Sequence, residues 1–106
     1  MNDTNRTTVK TSIFLSAIFI AGSAFALDAD DLIAHSDDLE RHREAFVQAT
    51  TELVENGTCT EAEFIENGGW VRSTSFGSRA VYFMYCGGAR VANRLYLDAV
   101  TGEIFR

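Results

Sequence analysis

Between Asp28 and Glu55 apolar residues recur with a helical period: Leu32, Leu39, Phe46 and Leu53 stand seven apart, and Ile33, Ser36, Val47, Thr50 and Val54 widen the stripe. The pattern predicts one long helix. Asp28, Asp30 and Asp31 crowd its start, where carboxylates cap free amides and meet the positive end of the dipole. Asn56-Gly57 supplies a left-handed stop. Thr60-Glu61-Ala62-Glu63 then reads as a capping box ahead of the apolar pair Phe64-Ile65, which predicts a second, short helix ending at Asn67-Gly68-Gly69.

Beyond that point the period falls to two. Residues 70–74, 80–86, 93–98 and 103–105 are rich in β-branched and aromatic side chains and read as four strands. The connections are short and carry turn residues: Gly77 within 75–79, then Gly87-Gly88, then Thr101-Gly102. Connections of this length make neighbouring strands antiparallel. The expected fold class is α+β, with one long and one short helix packed on a four-stranded antiparallel meander. Alternation assigns Val71, Val81, Phe83, Tyr85, Leu95, Leu97 and Ile104 to the face under the helix, and Arg72, Tyr82, Met84, Arg94, Tyr96 and Asp98 to the other. Cys86 falls on the second set by strict parity. A bond from it to Cys59 under the helices therefore requires a bulge near Gly87 or a reversal of the faces.

Residues 1–26 have a different pattern. Arg6 and Lys10 precede an apolar run from Ile13 to Ala21, and Ala24-Phe25-Ala26 offers the small residues of a cleavage site. This is the layout of a cleavable secretory signal, with cleavage expected after Ala26. The run is shorter than the roughly 20 residues a spanning helix needs, so no membrane anchor is expected after cleavage. Residues 27–106 are then a single small exported domain, periplasmic or secreted. At that size a core is marginal without a staple.

Cys59 and Cys86 are the only cysteines. In an oxidising compartment two thiols of a small exported chain pair, and closing the loop between them stabilises the fold by roughly 3 to 4 kcal/mol in the chain-entropy model. Redox or metal chemistry would favour a C-x-x-C spacing or a nearby histidine, and neither is present. The formal net charge of −6 argues against a nucleic-acid partner. The charge is also unevenly spread. From Leu27 to Gly69 the cations are only Arg41 and Arg43, whereas from Trp70 on the carboxylates are only Asp98 and Glu103, beside Arg72, Arg79, Arg90, Arg94 and Arg106.

The closing stretch contains Tyr96, Asp98, Thr101, Gly102, Glu103 and Ile104 in the order Y-x-D-x-x-T-G-E-I. With the preceding strand, over about residues 81–106, it resembles the closing hairpin of PepSY-type domains. The resemblance implies a small exported helix-plus-sheet module of the kind associated with inhibiting or chaperoning peptidases. The cysteines and Gly68-Gly69-Trp70 depart from that pattern, and no functional residue is carried over.

His35 and His42 are the only histidines, and on one continuous helix they share a face with Asp31 and Asp38. Asp31, His35, Asp38 and His42 are thus the candidate metal ligands of a weak metal-binding envelope protein. The two imidazoles lie about 10 Å apart along the axis, however, and zinc needs three or four ligands. No nucleophile elbow, phosphate-binding glycine loop or His-Glu-x-x-His motif occurs, and no cofactor is implied. The sequence points away from an enzyme, with a small hydrolase of unrecognised site as the remaining catalytic reading. The preferred function is a protein-binding or inhibitory module for another exported protein. Its candidate contact residues are Arg72, Tyr82, Met84, Arg94 and Tyr96, residue types enriched at interfaces. Trp70, behind two glycines, is expected to anchor the core.

Overall fold

The computed structural model describes residues 27–106. The expected signal segment and its cleavage point lie outside the described residues. Three helices, α1 (Ala29–Leu32), α2 (Leu39–Glu55) and α3 (Glu61–Asn67), precede four strands, β1 (Val71–Arg72), β2 (Val81–Tyr85), β3 (Arg94–Asp98) and β4 (Ile104–Phe105). A 3-10 turn, Val91–Asn93, leads into β3. The strands pair antiparallel in the order β1-β2-β3-β4. The α+β meander is therefore as the sequence implies, with its first strand cut short. Ser73 still pairs with Val81, but its hydroxyl then accepts from the Ser75 amide and turns the chain away.

The predicted long helix is broken between α1 and α2, and α2 itself kinks at His42, whose φ of −126° is not helical. α1 stops after Leu32, and the chain restarts as α2 behind Asp38, which takes a left-handed conformation (φ 54°). The apolar stripe is continuous across this break, but residues 33–38 are not helical. The Ser36 hydroxyl accepts from the Trp70 amide at 2.8 Å, the Asp37 amide donates to the Trp70 carbonyl at 2.9 Å, and the Asp37 carboxylate accepts from the Arg72 amide at 2.8 Å. Residues 36–38 thus exchange helical hydrogen bonds for bonds that dock the turn onto the start of β1. Gly69 makes the approach possible, because a Cβ there would overlap the Ser36 hydroxyl.

Asp28 stands at the N-cap of α1 without a side-chain cap bond, whereas the glycine stops and the capping box are as expected. Gly57 follows the last turn of α2 with positive φ, and Gly68 closes α3 in the left-handed region. Thr60 and Glu63 form the capping box, and the second Glu63 carboxylate oxygen accepts from the Gly87 amide at 2.6 Å. One carboxylate therefore caps α3 and ties it to the bend after β2. The Cys59–Cys86 disulfide closes the same junction, and both cysteines are buried.

All three helices contribute to one core, with Leu32, Phe46, Leu53 and Phe64 against Tyr82, Met84, Leu95 and Leu97. Trp70 is fully buried among Phe46 and Phe64, and its indole N–H donates to the Thr50 hydroxyl at 3.1 Å. That bond explains why Thr50 sits inside the apolar stripe.

The register corrects the expected faces. Tyr82 pairs with Leu97 and Met84 with Leu95, while Leu97 pairs with Ile104, so these five share the inner face. Arg72, opposite Tyr82, belongs to the same side. Val71, Val81, Phe83 and Tyr85 lie on the outer face with Arg94, Tyr96 and Asp98. The first two strands are thus inverted relative to the sequence reading, while Leu95, Leu97 and Ile104 are where it put them. Alternation gives the two faces of each strand but not the phase between strands, which the turn at 86–93 sets. With β2 inverted, Cys86 points into the core with Met84 and needs no bulge to reach Cys59.

Candidate interface on the outer sheet face

Antiparallel pairing sets Val71, Phe83, Tyr96 and Phe105 in one row across the four strands. Phe83, Tyr96 and Phe105 are half-buried, and Val71 is exposed. Phe76, from the loop joining β1 and β2, folds back onto the row with its ring centroid 5.2 Å from Tyr96 and 5.7 Å from Phe105, edge to face in both cases. Tyr96 and Phe105 stack at 5.4 Å, and Phe83 meets Tyr85 edge-on at 5.5 Å. No ring of this set belongs to the core cluster, so the rings cover one another on the side of the sheet away from the helices.

Two arginines complete the face. The Arg94 guanidinium lies 4.0 Å above the Phe83 ring and 5.4 Å from that of Tyr85. Its Nε and one Nη donate to the Tyr85 hydroxyl at 3.2 and 3.0 Å. The hydroxyls of Tyr85 and Tyr96 hold its pKa above the usual arginine range. Arg79 lies 5.6 Å over Phe76 and bridges to Asp98 at 3.0 Å. The arrangement is an aromatic surface with oriented guanidinium donors, residue types enriched at protein interfaces.

Of the contact residues expected from sequence, only Arg94 and Tyr96 meet here. Tyr82 and Met84 are 0% and 1% exposed and form the core. Arg72 lies over the Tyr82 ring at the inner edge, 3.9 Å from the Asp38 carboxylate, with one Nη donating to the Arg79 carbonyl and its Nε buried without a partner. It braces the junction of α2 and β1. Phe76, Phe83, Tyr85 and Phe105 were missed. For Phe83 and Tyr85 the signal is that aromatic residues persist at both parities of β2, so one face must carry rings whichever way the strand is turned.

The break at 33–38 also removes the geometry of the metal proposal. Asp31 lies in α1, His35 in the turn, and Asp38 ahead of α2, so the four no longer stand at helical spacing. Asp38 instead accepts from the Tyr82 hydroxyl at 2.6 Å, and His42 packs edge-on against Tyr82 and Phe46. Hydrogen bonding by Tyr82, aided by Arg41, Arg72 and His42, holds the Asp38 carboxyl below the usual range. Among the described residues no three or more His, Cys, Asp or Glu side chains are placed to hold a metal ion.

The residues that resemble a PepSY-type hairpin form the β3–β4 turn. One Asp98 oxygen accepts from the Val100 and Thr101 amides at 2.9 and 3.1 Å, the Thr101 hydroxyl accepts from Glu103, and Gly102 takes positive φ. Each has a local structural task. Comparison with protein-family models, with curated proteins and with solved structures finds no match to this chain.

Proposed function

We propose that this chain is an exported protein-binding module that holds another exported protein against its outer sheet face. The observation that carries the reading is the row Val71, Phe83, Tyr96 and Phe105 with Arg94 stacked beside it, on the side of the sheet that the described helices leave uncovered. Such a surface combines the residue types that supply most interface energy. The buried disulfide fits an oxidising compartment, and no helix among the described residues is long and apolar enough to cross a membrane. Periplasmic or secreted residence, with the N-terminal segment removed, belongs to the same proposal. So does an inhibitory role, toward which the PepSY-like hairpin points.

The test uses the face itself. Mature wild-type protein, Phe105→Asp and the helix-surface control Gln48→Ala are immobilised and exposed to envelope extract. A specific partner is retained by wild type and Gln48→Ala and lost at least tenfold on Phe105→Asp. Circular dichroism and the fluorescence of the single, buried Trp70 establish that each bait is folded. Equal retention by folded Phe105→Asp would place binding elsewhere.

A further inference from the structure

Three of the described arginines have a carboxylate within reach: Arg43 with Asp30, Arg72 with Asp38 and Arg79 with Asp98. Arg41, Arg90 and Arg106 are exposed to solvent. Arg94 differs from both groups. It is half-buried on an aromatic face, yet its partners are rings and the hydroxyls of Tyr85 and Tyr96, with no carboxylate among the described residues within ion-pair distance. The surrounding rings and hydroxyls favour the charged guanidinium, but none of them carries the negative charge that would neutralise it.

The bonds Arg94 makes leave a particular set of donors. Nε and one Nη point sideways at the Tyr85 oxygen. A guanidinium has five N–H groups, so the end formed by its two Nη atoms keeps the fork that matches a carboxylate in a bidentate pair. The two bonds to the Tyr85 hydroxyl and the Phe83 ring, 4.0 Å from Cζ, hold the guanidinium in place before any ligand arrives. The only carboxylate within the four strands is Asp98, whose oxygens are engaged by Arg79, Val100 and Thr101, so nothing in the sheet is free to compete or repel.

We infer that Arg94 is an anchor for a carboxylate carried on an extended segment of the partner protein, an Asp or Glu flanked by aromatic or long aliphatic residues that lie on Phe83, Tyr96 and Phe105. The inference rests on the outer-face reading above and names what that face recognises. Charge favours this occupant over an extended anionic surface. A net charge of −6 repels membranes and nucleic acid at long range, whereas one carboxylate meeting one fixed guanidinium is decided at contact.

An array of immobilised peptides tests it, with Glu, Gln, Lys or Leu at the centre and Phe, Leu or Ser on either side. Wild-type protein should bind Glu peptides with Phe or Leu flanks about tenfold better than the matching Gln peptides, and better still than Lys. Arg94→Met keeps the length and apolar stem, and should erase the Glu preference while retaining the circular dichroism and Trp70 fluorescence of the wild type. Glu and Gln peptides bound alike by wild type, or a preference that survives Arg94→Met, would overturn the inference. Phe105→Asp separates it from the face reading: lost binding to all peptides with no Glu preference in wild type keeps the face and rejects the carboxylate. A Glu preference untouched by Phe105→Asp but lost in Arg94→Met rejects the face. Two further results overturn the assignment: co-sedimentation with phosphatidylglycerol vesicles that Arg94→Met abolishes, which gives Arg94 to lipid phosphate, and a dimer in ultracentrifugation that dissociates in Arg94→Met, which gives it to a second copy.

Discussion

The Tyr82 hydroxyl donates to the Asp38 carboxylate at 2.6 Å and so joins the sheet to the left-handed residue from which α2 restarts. The strand end of this link is fully buried under His42 and Phe46. Burial, then hydrogen bonding to the charged Asp38, pushes the Tyr82 pKa up to about 12. A phenol whose pKa is higher in the folded than in the unfolded state stabilises the fold below about pH 10, and that contribution is lost as pH rises toward its folded value. Alkaline titration at 295 nm should therefore show one of the three tyrosines ionising late, near pH 12 or with unfolding. Tyr82→Phe should remove that late step and lower Tm by about 5 °C. Three tyrosines ionising together near pH 10 in folded protein would contradict the link.

Acid should act on two carboxylates with the same sign. Hydrogen bonds from the Thr101 amide and from Arg79 hold Asp98 below the usual range, as Tyr82 does for Asp38. The folded state binds protons to these groups less readily than the unfolded chain does. Their contribution is complete above the ordinary carboxylate pKa, about 4, and is lost as pH falls through the lower folded values. Asp98→Asn keeps an acceptor for Val100 and Thr101 but gives up the charge, so it should cost about 1 kcal/mol at pH 7 and flatten the loss of stability below pH 4. Asp98→Ala also strips the two amides of their acceptor and should cost about 2 to 3 kcal/mol. Urea midpoints measured from pH 7 down to pH 2 check both, and an acid limb as steep in Asp98→Asn as in wild type would count against the assignment.

These local devices differ in how far the sequence announces them. The Thr60–Glu63 capping box, the glycine stops and the turn around Asp98 depend on residues within five positions of one another, and they were legible. So was the disulfide, because compartment and count leave one pairing. The break at 36–38 was not, because its cause lies 34 residues away: Ser36 bonds to Trp70, and that partner is fixed only by the assembled fold. The same holds for the sheet face. Each strand alternates correctly by itself, but whether Tyr82 stands with Leu97 or with Tyr96 depends on the conformation of residues 86–93. The error in phase moved Tyr82 and Met84 into the proposed contact surface and left Phe83 and Tyr85 out of it.

Gly69 and Gly57 separate two costs of a side chain. Both have positive φ, +98° and +81°, but a Cβ at Gly57 meets nothing within 4 Å, whereas one at Gly69 overlaps Ser36. Gly57→Ala should cost about 1 kcal/mol, the backbone penalty alone. Gly69→Ala adds displacement of Ser36 from the Trp70 amide and should cost about 3 kcal/mol. Ser36→Ala in that background should recover little, because the Ser36 backbone also lies within 3.3 Å of where the new methyl group would stand. Chemical denaturation of the three variants reads the difference; equal costs at Gly57 and Gly69 would mean that the turn at 36 yields without loss.

Besides the long bond from the Asn67 side-chain amide to the Tyr85 carbonyl at 3.4 Å, the junction of α3 with the end of β2 has two ties, the Cys59–Cys86 bond and the Glu63 carboxylate on the Gly87 amide. The disulfide spans a sequence separation of 27, so replacing both cysteines by alanine should cost roughly 3 kcal/mol and lower Tm on the order of 15 °C. Because the sulfurs are buried, with Cys59 2% and Cys86 5% exposed, reductant at ambient temperature should open the native bond slowly, and faster as the fold is loosened by denaturant. The two ties also restrain the same few atoms. With the disulfide present, Glu63→Ala removes the cap on Thr60 and the bond to Gly87 while Cys86 still holds the bend in place. Without it, the same substitution leaves only the long Asn67 bond to the Tyr85 carbonyl between α3 and the end of β2. The combined loss should therefore exceed the sum of the separate losses by about 0.5 to 1 kcal/mol in a double-mutant cycle measured by urea denaturation. Additivity within about 0.3 kcal/mol would show that the two ties act independently.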